Sequence, residues 1–279
     1  ALKDRKFINQ SVIHNITEAN KVKNILEKLN IFSNEVTANF LLLDFDKCKF
    51  SSKYIFKSKN AAFKFESKIK DGSRVKARDV VFTIEGPQLE LLATERLVLN
   101  CMQRMSGIAT LTHQTAALIQ HTKCKLLDTR KTTPNFRYPE KWAVLIGGGE
   151  NHRMGLFDMI MIKDNHIDFC GSVTAALTKT KKYLESQNLE IPVIIEVRNN
   201  EEIEACLDFQ WIHRILLDNM NPEKLSEGLK IIKGRITTES SGNITNQTIV
   251  SIAETGVDYV SLGAITHSAK NIDLSLKAV

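Results

Sequence analysis

From residue 120 onward, short apolar runs of strand length alternate with segments of helical period. That alternation restricts the second half of the chain to a parallel sheet joined by right-handed helical crossovers. The predicted strands are Lys125–Leu127, Met159–Ile162, Val193–Val197, Arg214–Leu217, Ile236–Ser240 and Tyr259–Leu262, with predicted helices such as Ser172–Ser186 and Gln247–Glu254 between them. Such a sheet is either open and doubly wound or closed into a barrel, and the strand ends favour the barrel. Each runs directly into polar residues: Asp128-Thr-Arg-Lys131, Lys163-Asp-Asn-His166, Glu196 and Arg198 around Val197, Asp218-Asn219, Glu239-Ser-Ser241, and Gly263 with His267. In a parallel α/β barrel those ends gather on one rim, where active sites are built.

The remainder bounds the class of molecule. At 279 residues, and roughly 150 residues per domain, two domains are expected. The longest apolar run, Trp142–Ile146, is far short of the ~18 residues that span a bilayer, so no membrane association is expected. Ala1-Leu-Lys-Asp-Arg-Lys6 leads into no apolar stretch of signal-peptide length, and the five cysteines show no C-x-x-C spacing. A reduced, cytoplasmic protein without a zinc knuckle is the expectation. The net charge of +6 is unevenly spread: residues 1–78 hold 17 Lys+Arg against 8 Asp+Glu, and the rest hold 21 against 24. A solvated lysine-rich face accounts for this surplus better than a nucleic-acid partner, since no aromatic-studded RNA-binding pattern accompanies it.

The first third reads as mixed α and β. Val22, Ile25, Leu26 and Leu29 mark one face of a helix over Thr17–Asn30. Phe63, Phe65 and Ile69 before Asp71-Gly72, and Val80, Phe82 and Ile84 after it, predict strands of a small antiparallel sheet flanking a turn. From Pro87 a long amphipathic helix carries Leu89, Leu92, Val98, Leu99 and Met102. Gly107 is predicted to break it before a second helical stretch to about Gln120, and the domains are expected over residues 1–106 and 107–279, with the C-terminal segment packing back.

Three rim segments carry chemistry. Asp128-Thr-Arg-Lys-Thr-Thr-Pro134 sets two adjacent cations beside hydroxyls and a carboxylate; Arg offers a planar fork for a carboxylate, and Lys a point charge for a phosphate. Gly147-Gly-Gly-Glu-Asn-His-Arg153 permits close backbone approach but lacks the phosphate-loop spacing. Glu239-Ser-Ser-Gly-Asn243 and Gly263-Ala264 offer small residues with free backbone N–H groups at the last strands, where such folds hold phosphate. Arg130, Lys131, His152, Arg153 and Lys163 outnumber what a neutral substrate needs, so the substrate should be a multiple anion. Glu196 and Asp218 suit Mg²⁺, directly or indirectly, or a ribose hydroxyl pair; ion pairing with the surrounding cations is the structural alternative. No Ser-His-Asp or Cys-His arrangement is legible, and His14, His113, His121 and His213 read as structural or surface residues.

These motifs, with Lys70-Asp-Gly-Ser-Arg-Val75, Ile84-Glu-Gly-Pro87, Thr94-Glu-Arg-Leu-Val-Leu-Asn100, Gln103-Arg-Met-Ser-Gly-Ile-Ala-Thr110, Leu217-Asp-Asn219, Gly256-Val-Asp-Tyr259 and Gly263-Ala-Ile-Thr-His-Ser268, run in order from about Asp71 to the C-terminus. The chain strongly resembles the quinolinate phosphoribosyltransferases, the decarboxylating nicotinate-nucleotide pyrophosphorylases. The resemblance implies an N-terminal α/β sandwich domain followed by an open, incomplete α/β barrel. It also implies a homodimer whose active site borrows one arginine from the neighbouring subunit, with further assembly to a hexamer left open. Carried over motif by motif, it sets Arg130, His152, Arg153 and Lys163 around the carboxylates of quinolinate, with Arg96 arriving from the other subunit. Lys131, Glu196 and Asp218 then serve the pyrophosphate, ribose and Mg²⁺ of phosphoribosyl pyrophosphate, and Ser241, Gly242, Asn243, Gly263 and Ala264 cradle its 5-phosphate. Catalysis by positioning and electrostatics needs no nucleophile, consistent with the absent triad. The first seventy or so residues depart from the family pattern and lack its early Asp-x-Thr segment. Two alternatives stay open at this point: a paralogous phosphoribosyltransferase with another acceptor, and a nucleic-acid-binding protein using the basic N-terminal third.

Overall fold

The computed structural model describes residues 52–278; the predicted helix over Thr17–Asn30, His14 and much of the basic N-terminal third lie outside them. The chain divides into two compact units. Among the described residues one unit holds 52–68 and 80–98, the other 69–79 and 99–278.

In the smaller unit, helix α1 (Ser52–Lys59) precedes strands β1 (Lys64–Ser67) and β2 (Phe82–Glu85). The strands pair antiparallel with Phe65 opposite Ile84, as the alternation of Phe63, Phe65, Phe82 and Ile84 predicts. Phe65 stacks on Phe82 at 4.8 Å, and Phe56 meets Phe63 edge-on at 5.5 Å. Asp71-Gly72 does turn the chain, with Gly72 at φ +79°, but it does not join the two strands directly. The intervening residues 69–79 belong to the larger unit, where Arg74 and His113 meet at 3.0 Å.

Helix α2 (Gln88–Ile119) is continuous, which corrects the predicted break at Gly107. A glycine costs a helix interior only about 1 kcal/mol, too little to end thirty-two residues of helix held by packing. Its reason lies elsewhere: a Cβ at Gly107 would stand 2.1 Å from the Lys270 carbonyl oxygen. The C-terminal segment crosses α2 there, fixed by the Gln103 side chain donating to Leu274 O at 2.8 Å and by Ile272 N donating to Gln103 O at 3.1 Å.

The larger unit is built on six parallel strands: β3 (Lys125–Leu127), β4 (Ile160–Ile162), β5 (Val193–Val197), β6 (Arg214–Asp218), β7 (Thr237–Ser241) and β8 (Tyr259–Ser261). Their order is β3-β8-β7-β6-β5-β4. That order runs around a ring in sequence and is open between β3 and β4, the arrangement of an incomplete barrel. The helices follow the strands: α3 (Arg137–Ile146), α4 (Asp164–Cys170), α5 (Val173–Ser186), α6 (Asn200–Cys206), α7 (Pro222–Ile232), α8 (Ile249–Ala253) and α9 (Ala264–His267). Local chemistry starts them. Ser172, Asn199 and Asn221 each accept a backbone N–H of the first turn of α5, α6 and α7, and Pro222 fills the first position of α7.

Strand parity then sorts the side chains. Ile195, Val197, Ile215, Leu217 and Val260 join the apolar core that the helices cover. The register aligns Glu196, Leu216 and Glu239, and aligns Asp218 with Ser241. Because paired residues of parallel strands point to one face, these polar groups share the barrel interior and its carboxyl-end rim.

Candidate active site

The gap between β3 and β4 is occupied by residues 150–153. Glu150 bridges to β3, donating to Leu126 O at 2.8 Å and accepting from Asp128 N at 3.1 Å. On the other side the Arg153 guanidinium donates to Met159 O at 3.2 Å and reaches Met161 Sδ at 3.7 Å. His152 and Arg153 are thereby held at the opening of the barrel, both nearly buried.

A buried ion pair anchors this segment. Lys141 of α3 and Asp128 after β3, both without exposed side-chain surface, bond to each other. Lys141 also donates to His152 O at 2.9 Å, and Asp128 accepts from His152 N at 2.8 Å. With its amide nitrogen turned inward, Asn151 donates to the other Asp128 oxygen at 2.7 Å. Burial pushes Asp128 up to about 6 and Lys141 down, against their mutual attraction.

Three arginines crowd the same side. Burial, and then the neighbouring Arg130 charge, depress both Arg137 and Arg153. Arg137 spends its donors on Thr132 Oγ1, Met154 O and Arg130 O, whereas the buried Nε of Arg130 has no hydrogen-bond partner among the described residues. Cations packed this closely, one with a buried N–H left unsatisfied among the described residues, can seat a planar dianion.

The loop that bears Arg130 and Lys131 is braced from behind. Glu140 of α3, fully buried, accepts from Thr133 N at 3.0 Å and Thr133 Oγ1 at 2.7 Å, and from Arg104 Nε at 2.8 Å. Arg104 also donates to Ala269 O at 2.8 Å and to Thr266 O, while Thr266 Oγ1 donates to Lys131 O at 2.9 Å. One guanidinium thus ties the loop after β3 to the turn after β8. There Lys131 and His267 lie against Gly263, where a Cβ would meet them at 3.0 and 3.1 Å.

Around the rest of the rim, Lys163 Nζ stands 3.1 Å from Glu196 Oε2. Burial raises Glu196, and the nearby Asp218 charge adds to that rise against the pull of Lys163; burial likewise raises Asp218. After β7 the chain passes through Gly242 at φ +92° and Asn243 at φ +52°. The Asn219 side chain fills the space a Cβ at Gly242 would need, 2.2 Å away, and accepts from Asn243 Nδ2 at 3.0 Å while donating to Asp218. Asn219 N donates to Ser241 O at 2.8 Å. Asp218 and the turn over Ser241–Asn243 are therefore set by a single asparagine.

The larger unit thus carries twelve of the thirteen predicted site residues: Arg130, Lys131, His152, Arg153, Lys163, Glu196, Asp218, Ser241, Gly242, Asn243, Gly263 and Ala264. Arg96 sits on the part of α2 that belongs to the smaller unit, exposed and 3.5 Å from Glu95. Asp128, Arg137, Asn219, Glu239 and His267 stand at the site beyond the thirteen predicted residues. Glu239 carried a signal, a carboxylate at an inward strand position; Arg137 carried none.

Residues 47–106 match the N-terminal domain, and residues 108–277 the C-terminal domain, of the quinolinate phosphoribosyl transferase family models. The quinolinate phosphoribosyltransferase [decarboxylating] 2b, mitochondrial, of Nicotiana tabacum is 45% identical over 80% of this chain and 67% of its own length. The probable nicotinate-nucleotide pyrophosphorylase [carboxylating] of Bacillus subtilis is 42% identical over 74% of this chain and 70% of its own. Among solved structures, NadC from Streptococcus pyogenes superposes with a TM-score of 0.76 at 39% identity, covering 81% of this chain and 79% of that one.

Proposed function

Since the chain belongs to the quinolinate phosphoribosyltransferase family, we propose that it transfers the phosphoribosyl group of phosphoribosyl pyrophosphate to the ring nitrogen of quinolinate. The products are nicotinate mononucleotide, pyrophosphate and CO₂, a step of NAD biosynthesis. The observation that carries this reading is the crowding of Arg130, Arg137 and Arg153 at the barrel opening, in a barrel whose β7 ends in a glycine-bearing turn.

Arg130, Arg153 and Lys163 receive the two ring carboxylates, with His152 beneath Arg153. Across the rim, the backbone N–H groups of Ser241–Asn243 and of Gly263–Ala264 take the 5-phosphate, and Lys131, held against Gly263, faces the pyrophosphate. Glu196 and Asp218 hold the ribose hydroxyls and lie where positive charge develops as the anomeric carbon loses its leaving group. The ring nitrogen attacks that carbon and the C–O bond to pyrophosphate breaks. The ring becomes a pyridinium, its 2-carboxylate leaves as CO₂, and the electron pair left on C2 takes up a proton. The chain's part throughout is positioning and fixed charge.

The donors at Glu196 and Asp218 fit Mg²⁺. Both are hard carboxylates, close enough that the Asp218 charge acts on Glu196. That suits an ion which keeps its waters and takes phosphate oxygens as its remaining ligands. Bound there, Mg²⁺ would neutralise charge on the departing pyrophosphate.

The exposed Arg96 completes the site from a second copy of the chain, in a homodimer that leaves room for assembly to a hexamer. Among the described residues no helix is long and apolar enough to cross a membrane. Cys124 and Cys206 are buried thiols that burial pushes up to about 12, and the compartment of this reading is the cytoplasm, where thiols stay reduced.

The test is to incubate the protein with phosphoribosyl pyrophosphate and Mg²⁺, offering quinolinate and nicotinate in separate tubes, and to identify products by mass spectrometry. Nicotinate mononucleotide with CO₂ from the quinolinate tube alone is expected. Product from nicotinate, or from neither, overturns the acceptor assignment.

A further inference from the structure

Behind the arginine cluster the barrel interior holds a column of buried polar side chains that the proposed chemistry does not use. Arg214, at the start of β6, lies with its guanidinium 4.2 Å above the Tyr259 ring and donates through Nη1 to Glu239 Oε2 at 2.8 Å. The same oxygen stands 3.3 Å from His152 Nε2. Glu239 has no exposed surface; burial raises it, but His152 and Arg214 together hold it below the usual carboxylate value. At the other side of the imidazole, His152 Nδ1 accepts from the backbone N–H of Arg153 at 2.7 Å.

These contacts constrain the ring. An Nδ1 that accepts a backbone N–H carries no proton, so the neutral imidazole must carry its proton on Nε2. A carboxylate 3.3 Å from Nε2 repels a lone pair there and attracts an N–H, so it selects that tautomer even though the two are not well aligned for a hydrogen bond. With the opposite tautomer, two N–H groups would face each other between His152 and Arg153. Nδ1 of His152 is thus taken by the Arg153 backbone, and the buried Nε2 faces the Glu239 carboxylate at 3.3 Å without a hydrogen bond, so what His152 gives the acceptor is delivered through Arg153.

We infer that Glu239, clamped by Arg214 inside the barrel, is a positioning residue for the acceptor side of the site: it fixes the His152 tautomer and through it the backbone of Arg153. The inference rests on the reading of Arg153 as a quinolinate ligand.

Removing Glu239 alone would strand Arg214 without its partner, so the informative variant is Arg214→Met/Glu239→Met, which replaces both charges by apolar side chains. Nitrogen-resolved NMR of histidine-labelled protein, without substrate, reads the His152 tautomer directly. In the wild type the Nε2–H form is expected; in the double variant only the Arg153 N–H still selects it, and the Nδ1–H form should gain measurable population. The KM for quinolinate should rise roughly tenfold, the scale of one lost hydrogen bond to a charged group, while the KM for phosphoribosyl pyrophosphate stays put. Glu239→Gln is the conservative control: an amide oxygen takes the place of Oε2, which accepts from Arg214 Nη1 and faces His152 Nε2, and both the tautomer and the quinolinate KM should match wild type. An unchanged tautomer in the double variant overturns the inference, as does an equal rise in both KM values. The spectrum needs no turnover, so a failed acceptor assignment would leave the tautomer result readable by itself.

Discussion

Desolvation and mutual attraction pull in opposite directions on Asp128 and Lys141, and desolvation wins on both. The native chain holds the Asp128 proton up to about pH 6, against roughly 3.9 for an unfolded aspartate. A proton bound more tightly in the folded state adds stability as pH falls. This contribution is complete below about pH 4 and lost as pH rises through about 6. Activity should run the other way, because a protonated Asp128 is a weaker acceptor for the His152 N–H that sets the acceptor side. An acid limb in kcat/KM for quinolinate with an apparent pKa near 6 is expected; measured against Asp128→Asn, the wild-type denaturant midpoint should gain between pH 6 and 4, and parallel pH profiles of the two proteins would contradict the assignment.

Arg130 offers the complementary test at the same scale. Its charge presses on Arg137 and Arg153, so Arg130→Ala should leave the melting temperature unchanged or higher. It should nonetheless weaken quinolinate by about tenfold or more, the value of a charge-assisted hydrogen bond, and phosphoribosyl pyrophosphate far less; equal losses for both would sink the assignment. Arg130 was legible in the sequence because a cation at a strand end is conspicuous. Asp128, Arg137 and Glu239 act through backbone groups or other side chains, and those relations exist only once the chain has folded.

Among the elements, parallel strands were the most legible, since strands buried on both faces are apolar nearly throughout, and the predicted span Val193–Val197, apolar but for the site residue Glu196, is the one observed. The helix-breaking reading of Gly107 failed because a single sequence cannot distinguish a glycine that ends a helix from one that admits a neighbour. The two effects can be weighed. Gly107→Ala gains up to about 1 kcal/mol of helix propensity, but its Cβ would lie 2.1 Å from the Lys270 carbonyl oxygen, a backbone atom that moves only with its segment. Overpacking of that kind costs about 1–3 kcal/mol, so the variant should be destabilised overall. The urea midpoint should fall, and proteolysis should release the C-terminal segment first. A higher midpoint would mean that residues 270–274 contribute little to holding α2.

The proposed subunit arrangement belongs to the whole molecule, and strand ends do not report it, because they show what one chain can gather on its own rim. Arg96 is exposed on the smaller unit, 3.5 Å from Glu95, and the proposed site needs it from a second copy. If each site combines Arg130 of one subunit with Arg96 of the next, Arg96→Ala and Arg130→Ala remove different halves of it. Each variant alone should then be nearly inactive toward quinolinate. In a mixed dimer both lesions fall into one site and the other is intact. Co-refolding the two in equal amounts should therefore restore about a quarter of wild-type activity, as half the dimers are mixed and each has one good site. Variants that stay inactive when mixed, under conditions where exchange is verified by native mass spectrometry, would place both arginines in the same site of the same chain.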